Sequence, residues 1–308
     1  MMIDRSHVEA AWRLIQPHVR RTPVIELPAG AFGVAAPLAL KLEAMQVSGS
    51  FKGRGAFHKL LASPVPAAGI VAASGGNHGA AAAYAARALG HRAEIFVPTI
   101  ASPAKVARLQ AYGAIVHQIG PVYAEARAAS ERRAAETGAL IVYAYDDPVV
   151  FAGAGSVALE LAGQAAFDTL LVAVGGGGLI AGCAAAIGAA VKIVAVETEG
   201  TPTLHAALRA GEPVDVAISG IAADALGASR IGTPNFEIAR TLVRESVLVT
   251  DDAVRAAQRA LWDELRVIAE PAGATGLAAL MAGAYRPAAG ERVATLVCGA
   301  NTELASIG

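Results

Sequence analysis

In LKLEAMQVSGSFKGRGA, residues 40–56, Lys52 stands between Phe51 and Gly53. A solvated lysine needs no such neighbours. Burial beside an aromatic ring lowers a lysine's pKa, and a lysine that is neutral part of the time attacks carbonyls and takes protons. A second cluster, VGGGGLIAG (174–182), lies between an apolar run and a helical pattern. Its glycines, Gly175, Gly176, Gly177 and Gly178, let the backbone approach an anion. The helix start at Leu179 adds unpaired N–H groups and the positive end of a dipole, so a phosphate is the natural guest. A flexible turn is the plainer reading, but four consecutive glycines exceed what a turn needs.

Three further clusters end or follow apolar runs. In ASGGNHG (73–79), the exposed N–H groups around Ser74, Gly75 and Gly76 suit a carboxylate. Asn77 either caps the next helix or offers its amide to a bound oxygen, and His78 is either a ligand contact or a first-turn surface residue. CGAN (298–301) follows a strand-like run, where parallel sheets place ligands. Cys298 there is a neutral thiol or simply core. EPAGATG (270–276) puts Glu270 before a proline and a helix start, lining a cleft or capping the helix. Gly176-x-Gly178-x-x-Ala181 also fits a dinucleotide fingerprint, with Glu197 placed as its ribose-binding acid. An NAD-dependent oxidoreductase is therefore a rival, though it leaves Lys52 and Asn77 without work. The seven histidines show no paired metal spacing, and no G-x-S-x-G elbow occurs.

The elements that must position these residues alternate. GIVAAS (69–74), AEIFVP (93–98), AIVHQI (114–119), LIVYA (140–144), TLLVAV (169–174), KIVAVE (192–197), SVLVT (246–250) and RVATLVC (292–298) read as buried strands. Helices open near Asn77, Ser102 and Pro121, and Ser6 with Glu9 forms a capping box for a helix over 7–17. Two such sets predict an α/β protein of two lobes with mostly parallel sheets covered by helices. Hydrophobic residues make up 55% of the chain and mean hydropathy is +0.48, enough for a large core. Aromatics are only 5%, so aliphatic residues do most of the packing. The net charge of -1 speaks against nucleic acid as a partner. Two cysteines form no disulfide framework and suggest a reduced, cytoplasmic setting. No apolar leader opens the chain, so no signal peptide is expected. Residues 169–191 lack charge over a membrane's length, but the glycines inside argue for strand, loop and buried helix instead.

Together these motifs resemble the β-family, or fold type II, of pyridoxal-phosphate enzymes, near threonine/serine dehydratases and serine racemase. SGSFKGRGA resembles the family's S-F-K-x-R-G-A, SGGNHG its S-x-G-N-H, GGGGL its tetraglycine loop and CGAN its S/C-G-G-N. The resemblance spans nearly the whole chain, in the family's order. It implies that Lys52 forms the Schiff base and that Phe51, Asn77, Gly175–Gly178, Leu179 and Cys298 bind pyridoxal 5'-phosphate, with Cys298 facing the ring nitrogen. Ser74, Gly75, Gly76, Asn77, His78 and Glu270 would then meet the amino-acid substrate. It implies a large lobe (1–52 and 146–308), a smaller mobile lobe (53–145) and a homodimer.

A thiol opposite the ring nitrogen gives a weaker electron sink than a carboxylate. That suits elimination of a β-hydroxyl and release of a 2-oxo acid and ammonia, with the cofactor phosphate protonating the departing hydroxyl in this family. Threonine and serine are the expected substrates. Racemisation, or dehydration of 3-hydroxyaspartate or phenylserine, is the alternative. Gly75 stands where the racemase has a second, basic serine, which favours dehydratase. Thr203 replaces an aspartate of the racemase's cation site, leaving Glu197 alone, so no metal site is expected. The segment 223–232 is expected to line the pocket for the β-substituent. Only nine residues follow Gly299, so no regulatory domain is expected after it.

Overall fold

The computed structural model describes residues 2–303. In chain order its strands are β1 (Val24–Leu27), β2 (Leu38–Lys41), β3 (Ile70–Ala73), β4 (Ala93–Val97), β5 (Ile115–Gln118), β6 (Leu140–Ile141), β7 (Thr169–Ala173), β8 (Lys192–Thr198), β9 (Val243–Val249) and β10 (Val293–Leu296). The helices are α1 (Arg5–Ile15), α2 (Lys52–Leu61), α3 (Asn77–Ala88), α4 (Pro103–Ala111), α5 (Tyr123–Thr137), α6 (Pro148–Ala162), α7 (Gly178–Ile187), α8 (Thr203–Ala210), α9 (Ala223–Leu226), α10 (Thr233–Leu242), α11 (Asp251–Leu265) and α12 (Pro271–Met281).

The strands form two sheets, ordered β1-β2-β10-β7-β8-β9 and β5-β4-β3-β6. Every pairing is parallel except β1 with β2. Both faces of each sheet are covered, which is why the strands read as unbroken apolar runs. Leu170 and Val172 of β7 enter one core with α1, α6 and α7, while Leu171 enters another with α11 and α12. In the smaller sheet Ile70 and Ala72 pack on α2 and α3, and Val71 and Ala73 on α5.

Several local expectations shift. Asp4, not Ser6, caps α1, accepting from the Ser6 and His7 backbone, and its box partner is His7 rather than Glu9. β1 and β2 carry no turn-bounded alternation and escape the sequence reading. The run at 140–144 keeps only Leu140–Ile141 as strand, although the Val142 N–H still donates to the Val71 carbonyl of β3 at 2.9 Å. Residues 169–191 do form strand, glycine loop and helix, and no described helix is long and apolar enough to cross a membrane.

α2, which carries Lys52, is locked to the larger sheet by a buried ion cluster. Arg54 donates to both oxygens of Glu43, at 2.7 Å each, and its Nη2 lies 3.2 Å from Glu160 of α6. Lys41 of β2 pairs with Glu160 and donates to the Thr22 carbonyl at 2.8 Å. Burial alone would lower the Arg54 pKa, but Glu43 and Glu160 outweigh it and hold it raised. Two cations thus balance two carboxylates away from water. Glycines let α2 and α6 meet closely: a Cβ at Gly55 would lie 2.7 Å from the Val150 carbonyl, and one at Gly153 2.7 Å from that of Arg54.

Removing one member of such a cluster leaves a buried charge uncompensated, at a cost of about 3–5 kcal/mol. Arg54→Ala is expected to lower Tm by roughly 10 °C. Arg292→Ala, which breaks an exposed, solvent-screened pair with Asp168, should shift Tm far less. Thermal unfolding of the two variants checks this. Equal shifts would show that the buried cluster does not hold α2.

Candidate active site

Strand order gathers the separate clusters. β2, β10 and β7 are parallel neighbours, so the segments after their carboxyl ends lie side by side. Backbone bonds stitch two of them together. The Phe51 N–H donates to the Cys298 carbonyl and the Ala300 N–H to that of Gly49, both at 3.0 Å, and Ser50 bridges Gly299.

Lys52 opens α2 directly behind this seam. Its Nζ donates to the Ala144 carbonyl at 2.7 Å and lies 5.2 Å from the Phe51 ring centroid. Among the described residues no carboxylate pairs with it. Burial pushes its pKa down to about 8, against the smaller opposing pull of Cys298 and Glu270. Cys298 is buried, and burial raises its thiol far above the ordinary range, so it is neutral.

Gly177 holds a left-handed φ of +88°, which a side chain would strain. A Cβ at Gly175 would lie 2.9 Å from the Leu226 Cα, and one at Gly176 2.2 Å from the Tyr145 ring. The Asn235 Nδ2 braces the loop, donating to the Gly176 and Tyr145 carbonyls at 2.8 and 3.0 Å. α7 starts at Gly178 without a side-chain cap, leaving first-turn N–H groups available to an anion. Lys52, Phe51, Gly178 and Leu179 line one small cavity with Ala144. A partly neutral amine, an uncapped helix start and a shared cavity are the donor set that an aldehyde bearing a phosphate requires, so pyridoxal phosphate fits these residues.

The 74–77 loop arrives from the smaller sheet. Gly76, not Asn77, occupies the cap position of α3, and no side chain caps that helix. The Asn77 Nδ2 donates to Glu270 Oε1 at 2.5 Å, and its Oδ1 accepts from the Asn301 Nδ2 at 2.5 Å. Asn301 also donates to the Ser48 carbonyl at 2.9 Å. The Ser74 Oγ accepts the Gly76 N–H at 3.1 Å. Glu270 sits at the cap position of α12 but makes no capping bond; burial pushes its carboxyl up to about 7.

Two residues serve otherwise than expected. His78 is buried, and its Nε2 donates to the Val142 carbonyl at 2.8 Å. Burial and the Lys52 charge push its pKa down to about 4, so the ring is neutral and committed to the backbone. Glu197 is buried and accepts the Leu204 and His205 N–H groups at 2.7 Å each, so it closes α8 rather than facing a ribose. The Thr203 hydroxyl likewise donates to the Ala228 carbonyl at 2.8 Å.

Sequence reasoning missed Ala144, Tyr145 and Asn235, and gave Asn301 of the CGAN motif no role of its own. Residues 142–147 follow the parallel strand β6, and that position was the available signal. Asn235 carried none, since it acts through partners distant in sequence.

A model of the family "Pyridoxal-phosphate dependent enzyme" matches residues 15–299. The chain is 35% identical to an L-threonine ammonia-lyase of Geobacter sulfurreducens over 99% of its own length and 77% of the relative's. It is 36% identical to a phenylserine dehydratase of Ralstonia pickettii over 98% and 94%. The structure of maize serine racemase superposes with a TM-score of 0.94 at 32% identity, covering 100% of this chain and 96% of that one. A family match over residues 15–299 and a common fold agree: this chain belongs to the pyridoxal-phosphate dependent enzymes of fold type II, and pyridoxal phosphate is its cofactor.

Proposed function

We propose that the chain is a dehydratase, an ammonia-lyase, that converts a β-hydroxy amino acid to a 2-oxo acid and ammonia, with threonine and serine as the simplest substrates. One observation carries this reading: the Lys52 amine, its pKa lowered by burial, shares a cavity with an uncapped glycine-loop helix. Relatives acting on threonine and phenylserine support elimination of a β-hydroxyl.

Pyridoxal phosphate, when bound, supplies the electron withdrawal that makes the Cα–H bond of an amino acid acidic. The chain's residues do the rest. First-turn N–H groups of α7 hold the phosphate. Lys52 is the attachment point and, in its neutral form, the group that takes the Cα proton; the Ala144 carbonyl orients it. Cys298 would lie toward the ring nitrogen and would add no counter-charge, which favours a substrate with a leaving group at Cβ over transamination. Asn77, fixed by Glu270 and Asn301, would offer its amide to the ring oxygen. The uncapped start of α3, with Ser74, Gly75 and Gly76, receives the α-carboxylate.

We assign closure on the substrate to a mobile lobe of residues 53–145. Lys105 of α4 meets Asp224 of α9 at 2.5 Å across the division. The resemblance further implies a homodimer, and the unpaired, buried Cys183 and Cys298 suit the cytoplasm.

Lys52→Ala is expected to fold, to lose the visible absorption band and to lower turnover by roughly 10²–10⁴-fold or more. A coloured, active variant would remove Lys52 from the mechanism. Attachment needs the uncharged amine, whose pKa is about 8. Cofactor uptake by the apoenzyme should therefore accelerate about tenfold per pH unit below that value and level off above it; stopped-flow absorbance reads this, and a flat profile contradicts it. Gly75→Ser has room, since an added Cβ meets the Val97 Cγ1 at 3.6 Å. It should invert part of the recovered serine while elimination continues. Chiral chromatography checks this, and unchanged chirality would mean that Gly75 does not set the outcome.

A further inference from the structure

A cavity of about 280 Å³ lies apart from the one that holds the Lys52 amine. It lies between α5 and the segment 142–146, and the two cavities share Ala144, whose carbonyl holds that amine. Ala73, the residue before the 74–77 loop, forms part of its wall. Ala144 and Ala73 thus border the cavity toward the amine and toward the loop.

The lining is unusual for this chain. Three of its six tyrosines, Tyr123, Tyr143 and Tyr145, face one cavity in a protein whose aromatic content is 5%. Tyr123 and Tyr143 leave 49% and 37% of their surface open, although large apolar rings are normally covered. The Arg127 guanidinium lies 5.8 Å from the Tyr143 ring centroid. It carries no surplus charge for an anion: Glu131 accepts its Nε at 2.9 Å, and Asp146 adds a second acid to the wall. A methyl or hydrogen at Cβ would leave most of the space to water. A ring would gain offset or edge-on contacts with the tyrosines and the face of a cation.

We infer that this cavity receives the β-substituent of the substrate and selects an aryl group, so that a 3-aryl-3-hydroxy amino acid is preferred over threonine or serine. The inference rests on the elimination reading above. The expected balance for 3-phenylserine is loss of the Cα proton and the β-hydroxyl as water, then uptake of one water with release of ammonia, giving phenylpyruvate. From the segment 223–232, the Arg230 carbonyl accepts from the hydroxyl of Tyr145 in the cavity wall at 3.5 Å.

Two measurements on the holoenzyme test this. Calorimetry compares L-phenylalanine with L-2-aminobutyrate, neither of which has a hydroxyl to lose; phenylalanine should bind roughly 10–100-fold more tightly. Initial rates compare phenylserine, threonine, serine and 3-hydroxyaspartate; phenylserine should give the highest kcat/KM. Tyr143→Ala and Tyr123→Ala should each bring the phenylalanine-to-aminobutyrate ratio toward one. Threonine turnover without an aryl preference in binding overturns the inference and leaves elimination standing. A preference for 3-hydroxyaspartate overturns it in favour of an anion site at Arg127. An aryl preference in binding with no 2-oxo acid from any substrate upholds the cavity's role and overturns elimination instead.

Discussion

The structure depends on keeping one lysine amine out of water without giving it a carboxylate. Two lysine amines near each other in sequence are both lowered in pKa by burial, but the chain partners them differently. Lys41 is paired with Glu160 and enclosed by Thr22 and Gln164. Lys52 receives a single backbone carbonyl and the face of a phenyl ring. A carbonyl orients an ammonium but compensates its charge poorly, so desolvation wins and the amine is released toward its reactive form.

That arrangement is costly, and the surroundings absorb the cost. The Arg54–Glu43 pair two residues on fixes the helix that Lys52 opens, and glycines bring α2 and α6 into backbone contact. The seam between residues 49–51 and 298–300 holds the helix start from the other side. Neutral groups then surround the amine: a thiol raised by burial, a histidine lowered by burial, and a glutamate near its midpoint. Each is pushed toward its uncharged form by the same desolvation that acts on Lys52. A site built this way excludes stray charge and leaves the field to the cofactor and substrate.

The polar bonds of Asn77 connect the two sheets. Its amide spans Glu270 and Asn301 from the first turn of the helix that follows β3 of the smaller sheet. Any parting of the two sheets would break those bonds, so one side chain couples their positions.

The amino-acid sequence by itself determined the alternation of buried strands and helices, because full burial on both faces writes continuous apolar runs. It also singled out the lysine, the glycine loop, Asn77 and Cys298, because each sits in a short motif whose composition packing alone does not explain. It left open whether Asn77 and Glu270 were helix caps, since a carboxylate before a proline fits either role and only the tertiary partner decides. It placed His78 in the substrate cluster and Glu197 on a possible ribose, and both side chains turned to backbone groups instead. Ala144, Tyr145 and Asn235 came from tertiary structure alone. Their work is to meet residues on other elements, and a contact between strands adjacent in a sheet but distant in the chain leaves no trace in local periodicity.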